Sequence, residues 1–336
     1  MPLLRNLIAD VPGVLVGNAD DARLASGVTA VVFEEPVVGS IDVRGGGPGT
    51  RETALLDPAL TVQGIDAIAL SGGSAFGLDS ASGVQAWLAE QGRGFAVRSA
   101  RVPIVPGAIL FDLLNGGDKA WGRFPPYREL GYQAAARAGS DFALGSTGAG
   151  LGATTVSLKG GLGSASATCD GFTVGALAAV NAAGSAVVGG GPWFWAAPFE
   201  ADGEFGGRGF PSPLPDGALQ PVTKGSPQAS TTLTVVATDA TLTKAETKRL
   251  AIMAQTGLAR ALYPVHTPLD GDVVFAVATG RKPAPAPLLG LVALGTAAAN
   301  CLARAVALGV YTAAALPFPG ALPAWRERFA AEGQRT

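Results

Sequence analysis

The sequence predicts an α+β layered sandwich, on three observations. β-branched and apolar runs of strand length recur along the chain, two long helical patterns fall in its last third, and the two kinds of element mix without a regular βα repeat. No internal repeat stands out. At 336 residues the length fits one large domain or two small ones, and one domain over residues 1–336 is favoured. Apolar residues make up 48% and charged residues 15%, a balance far from that of a disordered chain and one that a large buried interface would explain.

Composition narrows the function. A net charge of −2 and a pI near 5.5, with no Lys/Arg cluster, give no basic footprint for nucleic acid. Cys169 and Cys301 are the only cysteines, too few for a disulfide framework or a thiolate metal site, and they suit a reducing cytoplasm. Arg5 and Asp10 break the apolar start, so no signal peptide is read there. Residues 172–199 and 288–316 are apolar enough to be mistaken for membrane spans. Asn181, Ser185 and Gly189-Gly190-Gly191-Pro192 interrupt the first, Asn300 and Arg304 the second, and neither is taken as a span.

In chain order, residues 28–33 and 65–70 read as strands, the second of the buried kind. Between them the loop Arg44-Gly45-Gly46-Gly47-Pro48-Gly49 implies close backbone approach. Ser71-Gly72-Gly73-Ser74 opens a helix expected over 74–90. Neither Gly-rich loop has the spacing of a nucleotide-binding motif. Residues 102–110, with Pro103 and Pro106, are expected to form an edge or irregular strand, and 119–137 a helix and a loop. Residues 144–188 are nearly all small, with Lys159 isolated beside Gly160 and Gly161, and 173–187 read as a pair of buried strands around Asn181. Residues 197–229 scatter charges among Gly, Ser and Pro with no period, and a structureless stretch of that length is more often functional or a linker.

That stretch ends at Ser230, and Thr231-Thr232-Leu233-Thr234-Val235-Val236 opens a β-branched strand. Thr243 with Glu246 forms a capping box for a helix through Ala261. Asp270-Gly271-Asp272 precedes a strand over 273–279, a second helix is expected over 288–308, and the tail beyond Pro317 is expected to be polar and frayed.

His266 is the single histidine, and no Gly-x-Ser-x-Gly elbow accompanies it, so a Ser-His-Asp hydrolase and a His-based metal site lack parts. An N-terminal nucleophile needs neither. If the chain cuts itself before Thr231, the freed α-amine, with an ordinary pKa of about 7.7 to 8.0, serves as base for the hydroxyl of its own residue. On composition alone Thr231 is equally a plain strand residue. Asp270 and Asp272 read as a solvated turn, a cation site, or carboxylates that orient the nucleophile. Asn181 and Lys159 read as oxyanion donors or carboxylate partners.

The chain resembles the self-processing amidohydrolases that include L-aminopeptidase/D-amidase/D-esterase, the β-peptidyl aminopeptidases and the nylon-oligomer hydrolase. The resemblance rests on Asp10-Val11-Pro12-Gly13-Val14, Val43-Arg44-Gly45-Gly46, Pro48-Gly49-Thr50-Arg51-Glu52-Thr53, Ser71-Gly72-Gly73-Ser74-Ala75-Phe76, Lys159-Gly160-Gly161-Leu162-Gly163 and Ala237-Thr238-Asp239. It implies a four-layer αββα sandwich and a precursor cut into 1–230 and 231–336, with 197–230 a flexible processing linker. It also implies a homo-oligomer, with a tetramer favoured, that hydrolyses small peptides or linear amides without a cofactor. By position, Thr231 matches the nucleophile, Asn181 the oxyanion-side asparagine, Lys159 the lysine near the nucleophile, and Asp270 and Asp272 the pair that holds the Thr231 amine. Ser230 stands where relatives often have Asn or Gly, which leaves a cut before Ser230 open. Pro106-Gly107-Ala108 replaces a Glu of the peptidase branch, and the Thr-Thr and Asp-Gly-Asp pairs bring the chain closer to the nylon-oligomer branch. The alternatives are an acyltransferase of the ornithine acetyltransferase type, whose cleavage stretch is absent, and an unprocessed non-catalytic protein.

Overall fold

The computed structural model describes residues 4–224 and 230–329. The first third supplies β1 (Val14–Asp21), β2 (Ser26–Val43), β3 (Gly49–Arg51), β4 (Ile65–Ser71), a hairpin of β5 (Phe95–Val97) and β6 (Ala100–Val102), and β7 (Gly107–Ile109). β8 (Leu162–Cys169), β9 (Phe172–Asn181), β10 (Thr231–Ala240) and β11 (Val273–Lys282) follow. Neighbours run β3-β7-β4-β2-β11-β10-β9-β8, with β1 also on β2.

β2 belongs to two sheets. Its first part pairs with β4 and its last part with β11. Between them Glu34, Glu35 and Pro36 are exposed and the register on β4 slips. Pro36 has no N–H for a ladder, so the strand bends there and passes from one sheet to the other.

Alternation along the strands then builds three apolar layers. Val28, Ala30 and Val32 face α1 (Ser80–Glu90) and α2 (Tyr127–Ala136), where they join Val84, Leu88 and Leu130. Val31 and Phe33 face the other way and meet Leu177, Leu233, Val235 and Phe275 between the sheets. Val180, Val236 and Val274 turn outward again, toward Leu250, Leu258 and Leu302 of α3 (Lys244–Ala261) and α4 (Leu289–Tyr311). The result is the expected αββα sandwich, in which each buried Val or Leu contributes about 1.5–3 kcal/mol.

The capping box of α3 is formed, with the Thr243 side chain accepting from the Glu246 N–H. α4 is long and apolar enough to cross a membrane, but 61% of that stretch is buried within the fold, and Arg304 on it is paired. The small residues of β8 have a reason: a Cβ on Gly163 would stand 2.0 Å from the Ala305 carbonyl oxygen, so α4 lies directly on the strand.

Four expectations need correction. Residues 173–187 hold one strand, β9, which ends at Asn181; beyond it Gly184 packs on the backbone of Tyr263 and Pro264, and an isolated antiparallel bridge between Ser185 and Tyr263 stands in place of a second strand. β7 is not an edge, because β3 and β4 flank it and both prolines fall outside it. The helix expected over 74–90 is a 3-10 turn (Ser74–Asp79) followed by α1; Gly77 packs against the Gly72 carbonyl and tightens the turn. The tail is not simply frayed, since α5 (Trp325–Phe329) buries both its aromatic ends, while residues 330–336 lie outside the described residues.

Residues 197–224 contain only a 3-10 turn (Ala197–Phe199), yet they are tied down. Arg304 donates to Glu204 at 2.9 Å, Phe205 is buried, and the Arg208 guanidinium lies over the Trp325 ring. Residues 225–229 lie outside the described residues. The ion pair from Arg304 to Glu204 is mostly shielded from water, and removing one partner strands the other charge. Arg304→Met is expected to cost about 3 kcal/mol, read as a lower urea midpoint by tryptophan fluorescence.

Candidate active site

β10 begins at Thr231 and β9 ends at Asn181, and the antiparallel register sets these two residues opposite each other. Thr231 shares its face with Leu233 and Val235, and Asn181 shares its face with Leu177 and Ala179, so both side chains point between the sheets. Thr231 is only 2% exposed. Its Oγ1 donates to the Ser230 carbonyl oxygen at 2.6 Å, and the Gly271 N–H donates to the same oxygen at 2.7 Å. The Ser230 N–H donates to the Leu269 carbonyl at 2.8 Å. The peptide before Thr231 is thereby clamped to the turn that leads into β11. A carbonyl that accepts two hydrogen bonds is polarised toward attack on its carbon. Gly271 is required by space, since a Cβ there would stand 2.5 Å from Thr231 Oγ1.

The carboxylates flank this clamp. Asp272 Oδ1 accepts from the Thr232 N–H at 2.8 Å, and Oδ2 faces His266 Nδ1 at 3.0 Å. Asp270 accepts from the Ala183 N–H at 2.9 Å, the Thr267 N–H at 2.9 Å and the Thr267 hydroxyl at 2.7 Å. Burial and the neighbouring charge of Asp272 nevertheless push the Asp270 pKa up. Both are 1% exposed, so the solvated-turn reading is wrong: the main-chain amides of the site need acceptors and the carboxylates supply them. No group of three or more His, Cys, Asp or Glu able to hold a metal ion occurs among the described residues. His266 serves as a partner of Asp272.

Asn181 Oδ1 accepts from the Thr154 N–H at 3.0 Å and from Lys224 Nζ at 3.1 Å, while Nδ2 donates to the Phe111 carbonyl at 3.0 Å. Those three partners line a pocket of about 420 Å³, together with Asp112, Lys159 and Leu322. Lys159 does not reach Asn181. Its ammonium donates to the carbonyls of Gly150, Ala153 and Gly160 at 2.7–3.0 Å, where it ties together the loop that forms the pocket wall. Burial brings its pKa down to about 7, against the pull of Asp112. Lys224 is likewise lowered to about 7 by burial, against the pull of Asp270.

The model of peptidase family S58 matches residues 6–320. The chain belongs to that family. Among its relatives, an uncharacterized aminopeptidase of Mycobacterium tuberculosis is 47% identical, covering 96% of this chain and 98% of its own. A 6-aminohexanoate-oligomer endohydrolase of Kocuria sp. is 26% identical over 82% of this chain and 76% of its own. The fold is that of the β-aminopeptidase of Burkholderia sp. (TM-score 0.72, 22% identity, covering 100% of this chain and 96% of that one). It is also that of the L-aminopeptidase D-Ala-esterase/amidase of Ochrobactrum anthropi, described as a variant of the Ntn hydrolase fold (TM-score 0.68, 21% identity, covering 98% and 95%). The match is to a peptidase family, and the chain is a hydrolase of amide bonds rather than the acyltransferase or non-catalytic alternative.

Of the residues singled out from sequence, the structure gathers Thr231, Ser230, Asn181, Asp270 and Asp272 at one end of the β9, β10 and β11 strands. Lys159 stands in the adjoining pocket wall. Gly271, Lys224, Thr154 and Phe111 were missed. Gly271 had a signal, as a glycine between two acids, whereas Lys224 had none in a stretch without period.

Lys159 contributes a pH dependence of definite sign, opposed by Asp112 and Asp270, whose pKa values burial raises. Above about pH 7 the folded chain releases the Lys159 proton, while the unfolded chain keeps it to near the ordinary 10.5. Unfolding in that window takes up a proton, so stability rises with pH between these values and is lost as pH falls toward 7. Between pH 7 and pH 9 the urea midpoint of the Thr231→Ala chain is expected to gain on that of the same chain with Lys159 also replaced by Met.

Proposed function

We propose that the chain cuts itself between Ser230 and Thr231 and then hydrolyses amide bonds of small peptides or linear amides through an acyl-enzyme on Thr231. One observation carries this reading: the Thr231 hydroxyl lies 2.6 Å from a Ser230 carbonyl oxygen that the Gly271 N–H also holds. In self-cleavage Oγ1 attacks the Ser230 carbonyl carbon, the bond to the Thr231 nitrogen breaks, and that nitrogen takes up a proton. Water then cleaves the ester, leaving a carboxylate on Ser230 and a free amine on Thr231.

In turnover that amine takes the Oγ1 proton as the hydroxyl attacks the substrate carbonyl. Asn181 Nδ2, beside Thr231 in the register, and the Gly271 N–H are the donors for the oxyanion. The leaving amine departs with a proton, and water releases the acid. Asp272 holds the start of β10 through the Thr232 N–H, and Asp270, whose backbone is bridged to Ser230, is assigned to hold the new amine. A cut before Ser230 would need the carbonyl of residue 229, which lies outside the described residues; the clamp on the Ser230 carbonyl favours the cut after it. The relatives' names, aminopeptidase and 6-aminohexanoate-oligomer endohydrolase, support small amide substrates.

A homo-oligomer, with a tetramer favoured, suits the apolar composition and the exposed Phe95, Val97 and Val102 of the β5–β6 hairpin. A cytoplasmic location fits the two free cysteines.

Thr231→Ala is expected to remain one chain by intact mass and to lose amide hydrolysis by a factor of about 10⁴ or more, while Thr231→Ser keeps both. Gly271→Ala, whose Cβ crowds Oγ1, is expected to slow the cut by about 100-fold. A Thr231→Ala enzyme that still turns over amides would refute the mechanism.

A further inference from the structure

Asp112 stands in the pocket wall, is only 3% exposed, and has no part in the mechanism above. Past β7 the chain leaves its ladder. Leu110 still bonds to the main chain of Ser71 and Ser74, but residues 111–114 form no main-chain hydrogen bond to other main chain among the described residues. The Asp112 side chain does the fastening instead. Its Oδ1 accepts from the Gly73 N–H at 2.8 Å and its Oδ2 from the Ser26 hydroxyl at 2.6 Å, while the Tyr127 hydroxyl donates to Ser26 Oγ at 3.1 Å. The space is fitted to it: a Cβ on Gly72 would stand 2.2 Å from Oδ2, and one on Gly152 2.5 Å. Burial pushes the Asp112 pKa up, against the pull of Lys119 and Lys159, so the hold is one of hydrogen bonds more than of charge.

The peptide that joins Phe111 to Asp112 is the one whose carbonyl accepts from Asn181 Nδ2. A carboxamide has an acceptor end and a donor end of nearly equal shape, and its partners decide which way it is turned. Here the Thr154 N–H requires Oδ1 on one side and the Phe111 carbonyl requires Nδ2 on the other. Nδ2 carries two hydrogens, of which the Phe111 carbonyl takes one. The second is left for an oxyanion. A carboxamide turned half round would present Oδ1 there, an acceptor that repels the developing charge.

We propose that Asp112 is a positioning residue for amide hydrolysis: by fixing the Phe111 carbonyl it keeps the Asn181 carboxamide turned so that Nδ2 donates to the oxyanion. The inference rests on Asn181 being an oxyanion donor. Lys159 secures the opposite side, since its ammonium holds the Ala153 carbonyl, which belongs to the same peptide as the Thr154 N–H. The carboxamide is thus held between two peptides, one fastened by Asp112 and one by Lys159. Asp112 meets no reacting atom in this arrangement, so its loss acts on the transition state through Asn181 and leaves substrate binding nearly unchanged.

A double-mutant cycle with Asn181 tests this, on matured chains counted by intact mass, with alanine p-nitroanilide or, where the wild type prefers it, a 6-aminohexanoate oligomer. Asp112→Ala is expected to lower kcat about 30-fold with KM within about threefold of wild type, a part of the roughly 100- to 1000-fold that one oxyanion donor supplies. In the Asn181→Ala background the same change is expected to cost less than about twofold, because no carboxamide is left to turn. Asp112→Asn still accepts from the Gly73 N–H and donates to Ser26 Oγ, and is expected to stay within about threefold of wild type. An equal loss in both backgrounds, an Asp112→Asn enzyme as slow as Asp112→Ala, or a fully active Asp112→Ala enzyme overturns the proposal. If Asp112→Ala does not fold, Ser26→Ala, which removes one of the two bonds and leaves Asp112 in place, is expected to lower kcat about fivefold. An equal loss from Ser26→Ala with and without Asn181 likewise overturns the proposal. Failure of the underlying reading is separable, because it shows as an Asn181→Ala enzyme that keeps the wild-type kcat.

Discussion

The hydrogen bond from the Gly271 N–H to the Ser230 carbonyl is the contact on which the site depends. It fastens the start of β10 to the turn before β11, and it works only because those strands are parallel neighbours whose ends meet. β9 then enters antiparallel and brings Asn181 opposite Thr231. Three chain segments far apart in sequence thus deliver a hydroxyl, a polarised carbonyl and a carboxamide to one spot. The two-sheet sandwich supplies the rest: the layer between the sheets is dry, and a hydroxyl in it competes with little water for its partner.

The electrostatics follow from the same burial. Two carboxylates and two lysines cluster where a charge is costly unless paired. Asp270 and Asp272 are met by main-chain and hydroxyl donors, and Lys159 by three carbonyls. These contacts also fix the segments between strands, including the 3-10 turn of Gly148–Gly150 in the pocket wall and the turn around Thr267. Charged side chains here organise the backbone, which in turn positions the reacting groups. Lys224 differs, because its partner is the carboxamide of Asn181 and its own segment leads toward Ser230.

Much of this was legible in the sequence where a local rule sufficed. The Thr243 and Glu246 capping box marked α3, the apolar run of α4 marked its length, and the β-branched run after a structureless stretch marked β10. Motif order pointed to Thr231, Asp270 and Asp272, and the structure adds the register that places Asn181 opposite Thr231. β8 escaped notice because its small residues answer to the backbone of α4 rather than to a strand propensity. The second strand expected after Asn181 failed for a related reason: the chain there packs closely on Tyr263 and Pro264 and pairs through a single bridge of Ser185 with Tyr263 rather than a full ladder. Gly271 and Lys224 act through contacts with residues distant in sequence or without pattern, and only the fold reveals such contacts.

The central claim is that the Ser230–Thr231 bond is the one the site is built to break. N-terminal sequencing of the smaller fragment of the purified protein tests it most directly. The account predicts a fragment beginning Thr-Thr-Leu-Thr at Thr231, alongside a larger one ending at Ser230. A fragment beginning at Ser230, or a single intact chain that hydrolyses amides, would contradict it.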